Sequence, residues 1–158
     1  MRAIENITYE ELHAGDYATF TETLSEDELI LFAAQSGNIN PAELTTDAVQ
    51  KSTYSDKIGY GMWAANILNT AVTSVIPGPG TIHLEQELNF SGKIELGDTL
   101  SARLTIFEKL ERNRVAINCE VRNQNDEVVV HGVATVVAPT QKISVNETSL
   151  PRVLIENQ

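Results

Sequence analysis

The sequence predicts an α+β fold in which one antiparallel sheet wraps around a long, mostly apolar helix. Three observations carry that prediction. Between Lys57 and Ile76, the residues Met62, Ala65, Ile67, Leu68, Ala71, Val72, Val75 and Ile76 spread apolar groups around most of a helix circumference, as in a helix buried on most sides. Beyond Gly80 the apolar pattern changes from helical spacing to alternation in successive runs, the last of which begins at Val128-Val129-Val130 and continues to Val137. The chain has 158 residues, 42% of them apolar, which suits one domain with one core.

Each element has a local reason. Gly15-Asp16 precedes an alternating strand from Tyr17 to Thr23. Ser25 and Glu28 form an S-x-x-E capping box, and Glu26 and Asp27 add charge at the positive end of the helix dipole. Leu29, Phe32, Ala33 and Ser36 then share one face and Gly37 is the stop, so a helix is expected over about 26–36. Asn38-Ile39-Asn40-Pro41 places two short amides just past that helix, and Pro41 stiffens the exit. A short, weakly amphipathic helix is expected at about 45–51.

The long helix opens at Gly59 and Gly61, where another group can approach the backbone closely, and Pro77-Gly78-Pro79-Gly80 ends it. Four strands follow: Ile82, Leu84, Gln86, Leu88 and Phe90 on one face, then Leu100 to Ile106, Val115 to Val121, and Val128 to Val137. Gly97-Asp98 and Asn123-Gln124-Asn125-Asp126 read as turns between them. From Pro139 the pattern stops, so a domain over 1–140 and a flexible tail or linker over 141–158 are expected. This is the order of a hot-dog fold. One sheet face and one helix cannot cover everything, which predicts a homodimer, or a higher homo-oligomer, with a continuous sheet.

Charge excludes several partners. The net charge of −11 argues against nucleic acid and against an anionic membrane surface. Most of that excess sits in residues 1–56, whereas Lys93, Arg103, Lys109, Arg112, Arg114 and Arg122 fall within 30 residues. A solvated strand face is the expected role of that run, with Lys109, Arg112 and Arg114 the first candidates for holding a ligand phosphate. The single cysteine, Cys119, excludes internal disulfides and multi-cysteine metal sites, and its strand position predicts a core thiol. His13, His83 and His131 stand apart, so no metal is expected; His83 reads as a strand residue facing solvent or capping a cleft. Pro77-Gly78-Pro79-Gly80 precedes a strand rather than a helix and makes no phosphate loop, and no cofactor is implied. No apolar h-region opens the chain, and the stretch from Met62 to Ile76 is too short to span a bilayer, which predicts a cytoplasmic protein.

Four motifs then carry a resemblance. Ser36-Gly37-Asn38-Ile39-Asn40-Pro41-Ala42-Glu43 resembles S-G-D-x-N-P-x-H, and Ile58-Gly59-Tyr60-Gly61-Met62-Trp63 resembles h-x-H-G-M. Pro77-Gly78-Pro79-Gly80-Thr81-Ile82 and Leu96-Gly97-Asp98 match P-G-x-G-[ST]-I and h-G-D in the same order. The chain is thereby identified as a member of the MaoC-like (R)-specific enoyl-CoA hydratases. With Gly-Met-Trp at 61–63 and Asn123-Gln124 before Glu127-Val128, it is most similar to the N-terminal hydratase-like domain of bifunctional enoyl-CoA hydratase/phosphate acetyltransferases. A fused or docked phosphate acyltransferase is an implied partner.

The resemblance implies an acyl-CoA thioester in a tunnel at a dimer interface, with an Asp and a His holding the water that adds to the enoyl double bond. The amide at the start of the helix, here Gly61, polarises the thioester carbonyl. Asn38 stands at the Asp position, Glu43 at the His position, and Tyr60 where the second motif has His. Asn38 can orient a water but take no proton, which leaves Glu43 as the titratable group, its pKa raised beside an apolar tunnel. Catalytic roles are therefore expected for Glu43 and Asn38, and substrate contacts for Gly61, Tyr60, Met62, Trp63, Asn69 and Asn40, with Asn66 beside them. The alternatives are a catalytically silent acyl-CoA-binding or docking domain, and a single-carboxylate acyl-CoA thioesterase.

Overall fold

The computed structural model describes residues 2–37 and 60–156. The short helix expected at 45–51 lies outside them. Seven strands and two helices occur among the described residues: β1 (Ala3–Glu5), β2 (Tyr17–Thr23), α1 (Glu26–Ser36), α2 (Gly61–Ser74), β3 (Ile82–Phe90), β4 (Thr99–Lys109), β5 (Arg114–Arg122), β6 (Val128–Val137) and β7 (Ser144–Asn146). Five strands form one antiparallel sheet in the order β2-β4-β5-β6-β3, and β1 pairs with β7 in a separate ribbon. The chain adopts the hot-dog fold, with α2 on the inner face of that sheet.

Alternation puts that inner face together. Leu100, Ala102, Leu104 and Ile106 from β4 and Val115, Ile117, Cys119 and Val121 from β5 are all buried. They meet Trp63, Ala64, Ile67, Leu68, Ala71 and Val72 from α2 in one core. On the opposite face of the sheet, hydroxyls pair across strands, Thr21 with Ser101 at 3.0 Å and Thr23 with Thr99 at 2.8 Å.

Two sequence expectations change here. First, α2 is buried on one face only. Met62, Asn66 and Asn69, at helical spacing, are exposed in the single chain. Its polar threonines are accommodated because Thr70 and Thr73 donate back to the carbonyls of Asn66 and Asn69 at 3.2 and 2.9 Å. Second, a bulge between His83 and Glu85 shifts the frame of β3. His83, Gln86, Leu88 and Phe90 stand opposite Val136, Ala134, Gly132 and Val130 on the inner row, while Ile82 is opposite Val137. Unbroken alternation had placed Ile82 and Leu84 with that inner row.

Turns and ends are tied by specific groups. Ser25 Oγ accepts the Glu28 amide at 3.2 Å, and Gly37, at φ 70°, closes α1 by donating to Ala33 O. The reciprocal arm of the capping box is replaced, since the Ser25 amide donates to Thr23 O at 3.1 Å. Asp98 is buried and accepts from the Glu95 amide and from Gln124 Nε2, both at 2.8 Å, while Gln124 Oε1 accepts from the Thr99 amide. The Leu96-Gly97-Asp98 motif thus stitches two turns together. Asn123 Oδ1 accepts the amides of Asn125 and Glu127 at 3.0 Å each, closing the β5–β6 hairpin. Between β4 and β5, Arg112 and Asn113 take φ of 60° and 57° in a tight turn that no glycine announced.

Residues 141–147, expected as the start of a loose tail, are docked. Asn6, 1% exposed, donates from Nδ2 to Pro79 O at 3.1 Å and Gln141 O at 2.9 Å, and its Oδ1 accepts from the Ile143 amide at 3.0 Å. Lys142 Nζ donates to Asn6 O at 2.6 Å and reaches both carboxylate oxygens of Glu11. Lys142 and the Thr8 amide and hydroxyl hold the Glu11 carboxyl below its ordinary pKa, the Thr8 amide most of all. Among the described residues, no helix is long and apolar enough to cross a membrane.

Candidate functional site

The N-terminus of α2 is the chemically distinctive end of the buried helix. Tyr60 stands at the cap position with φ −85° and ψ 47° and contributes no side-chain cap hydrogen bond. Its carbonyl accepts from the amides of Trp63 and Ala64 at 3.1 and 3.3 Å. The amides of Gly61 and Met62 precede those bonds, so by position they are first-turn donors at the positive end of the dipole. Such an amide suits an oxygen that gains negative charge.

A side chain at position 61 would meet Phe90. A Cβ built there would lie 2.5 Å from Cδ1 and 2.8 Å from Cε1 of Phe90. The aromatic ring at the end of β3 therefore occupies the space of the missing side chain. Phe90 is 52% exposed and Met62 63% exposed in the single chain. Asn66 and Asn69 continue the exposed face of α2 one and two turns further on.

The inner row of β3 adds polar groups. His83 Nε2 and Gln86 Oε1 are 2.9 Å apart. Gln86 Nε2 donates to Val133 O at 3.3 Å and lies 3.9 Å from Cys119 Sγ. Burial pushes the Cys119 thiol up to about 11, with the Gln86 hydrogen bond opposing. A neutral buried thiol is a poor nucleophile, in keeping with a core role. His83 is half-buried on the inner row and bonded to Gln86.

Lys109 and Arg114 sit elsewhere. Arg114 pairs with Val137, which pairs with Ile82, at the start of β3, whereas Phe90 is at its end. Eight residues of strand put roughly 26 Å between those ends. Lys109 lies 4.3 Å over the Tyr9 ring and Arg114 Nε donates to Glu111 O at 3.1 Å. Within one chain, then, these cations are remote from the Gly61 amide. Arg103 and Arg122 line a groove of about 670 Å³ with Thr19, Ser101, Glu120 and Asp126 on the outer face of the sheet. Arg122 is paired there with Glu120 at 2.7 Å, and Arg103 stacks 3.9 Å over Tyr17.

The expected site residues divide three ways. Gly61, Met62 and Asn69, with Asn66, gather on the accessible start and face of α2, and Tyr60 caps it. Trp63 is 2% exposed and packs into the core on the opposite side of the helix. Asn38, Asn40 and Glu43 lie outside the described residues. Among the described residues, no three His, Cys, Asp or Glu side chains stand together in a way that could hold a metal. The contact that sequence reasoning missed is Phe90 on Gly61. In the sequence Phe90 is one apolar residue of an alternating strand, and nothing in that pattern marks the residue that meets the helix.

No protein-family model matches the chain. Over 133 residues it is 29% identical to an (R)-specific enoyl-CoA hydratase from Rhodospirillum rubrum, covering 84% of this chain and 92% of the relative. Its structure superposes on the R-hydratase PhaJ1 from Pseudomonas aeruginosa, in the unliganded form, with a TM-score of 0.92 and 39% identity, covering 98% of this chain and 100% of that one. It also resembles the (R)-hydratase from A. caviae involved in PHA biosynthesis, with a TM-score of 0.76 and 25% identity over 82% of this chain and 99% of that one.

Proposed function

The chain belongs to the MaoC-like (R)-specific enoyl-CoA hydratase family, and from that premise we propose that it adds water reversibly to a trans-2-enoyl-CoA to give the 3-hydroxyacyl-CoA. The observation that carries the proposal is the match to an R-hydratase along nearly the whole of both chains. It is supported by a long helix that opens with a glycine amide against an aromatic ring.

In this mechanism Asn38 orients the water and the Glu43 carboxylate takes its proton as the oxygen bonds to C3 of the enoyl group. Charge moves onto the thioester oxygen, which accepts from the Gly61 amide, and the proton held by Glu43 is returned to C2 on the same face. Met62, Asn66 and Asn69 border the acyl chain and Tyr60 the thioester end. A second copy across the free edge of β3 completes the site, since Ile82, Leu84 and Phe90 leave that edge apolar and exposed. Sedimentation at micromolar concentration tests the dimer.

Loss of enoyl absorbance with crotonyl-CoA tests the activity. Turnover is expected, falling ~10²-fold or more in Glu43→Ala. Equal rates in the two proteins would remove Glu43 from the mechanism. A second reading is favoured by Asn38, Glu43 and Tyr60 standing where the motifs have Asp, His and His: an acyl-CoA-binding domain without turnover. Crotonyl-CoA binding with no hydration would select it. Release of free thiol, followed with a chromogenic reagent, would instead identify a thioesterase that works with one carboxylate and the helix amide.

A further inference from the structure

We propose that Phe90 is a positioning residue for the Gly61 amide, a role that rests on the hydratase reading above. Phe90 ends β3 opposite Val130, on the inner row that continues through Val121 and Ala102 to Phe20. In the single chain this phenylalanine is 52% exposed. One edge of its ring, Cδ1 and Cε1, lies against the first residue of α2, 2.5 and 2.8 Å from where a Gly61 Cβ would stand.

Two physical consequences follow. The Tyr60 side chain makes no cap hydrogen bond at the start of α2, and the ring braces that end against the sheet. An apolar ring beside the amide also keeps water from one side of it, which strengthens its hydrogen bond to an oxygen that gains charge in the transition state. A side chain at position 61 would have to displace the ring. The constraint therefore belongs to the pair.

The test is a double-mutant cycle with Gly61→Ala and Phe90→Leu, read in kcat and KM for crotonyl-CoA hydration. A thermal melt of each variant checks folding, and Phe90→Met replaces Phe90→Leu if the latter does not fold. Phe90→Leu is expected to lower kcat ~10-fold or more, with KM changed less than about threefold. The double variant is expected to lose less than the product of the single losses, because the added methyl no longer meets a ring. Independent losses, or a change confined to KM, would overturn the positioning role while leaving an active hydratase. Crotonyl-CoA titrated into ¹⁵N-labelled protein separates the other failure. A parent with neither turnover nor a ligand-dependent shift of the Gly61 amide overturns the hydratase reading and this role with it. If the parent binds without turnover, the same cycle is read in Kd, and independent effects there overturn the role.

Discussion

Replacing Asn6 by alanine isolates the buckle that fastens the end of the chain to its beginning. The side chain makes three hydrogen bonds, to groups 73, 135 and 137 residues away in sequence, and all of them are to backbone. Each bond is worth about 0.5–1.5 kcal/mol net, and a buried partner left unpaired costs about 1–3 kcal/mol. Water reaches part of this edge once the amide is gone, so the total is set at about 3 kcal/mol. For a chain of this size that corresponds to a fall in Tm of about 6–12 °C. The assay is thermal unfolding by circular dichroism at one protein concentration, because self-association would shift Tm by mass action. Hydrogen exchange at Ser144–Asn146 should accelerate in the same variant, since β7 is held through that buckle. Asn6→Asp sharpens the test. It keeps the acceptor for the Ile143 amide but presents oxygen to the carbonyls of Pro79 and Gln141, so it should be less stable at pH 8 than at pH 5. A Tm within 2 °C of the parent for Asn6→Ala would refute the assignment of this network as the fastening of the chain end.

Two further outcomes are expected. At Gly132 an added Cβ would fall on the Glu87 carbonyl and 3.0 Å from Leu88 Cα, so β3 must lift from β6. Gly132→Ala should cost at least about 2–3 kcal/mol and lower Tm accordingly; an unchanged melt would contradict the close approach of these strands. Cys119 should resist an aromatic disulfide reagent at pH 8 until the protein unfolds. Burial raises its folded pKa to about 11, above the ordinary thiol value of about 9. The neutral thiol's contribution to stability is therefore complete below pH 9 and is lost as the pH rises to about 11. Cys119→Ala should flatten the stability profile in that window, and an unaltered slope would show that other groups cause it.

Local signals made much of the fold legible. β2 and α1 fall at the boundaries their own residues predict, because alternation, an N-cap serine and a C-cap glycine act within a few residues. The buried faces of β4 and β5 were readable for the same reason. The frame of β3 was not, since a bulge depends on how that strand pairs with β6 rather than on its own composition. The docked segment at 141–147 was equally hidden: its partners Asn6 and Glu11 lie more than 130 residues away in sequence.

The candidate site divides along the same line. Gly61 and the hydratase motifs stand in the sequence, since a backbone amide at a helix start needs only the residues that begin the helix. The sequence alone therefore determined the fold class and the family. Only the tertiary structure decided that Phe90 meets Gly61, that Trp63 turns into the core while Met62 and Asn69 stay accessible, and that Lys109 and Arg114 lie at the far end of β3. Those outcomes depend on sheet register and on the rotation of α2 above it. Both are properties of packing between elements distant along the chain, and no local pattern encodes them.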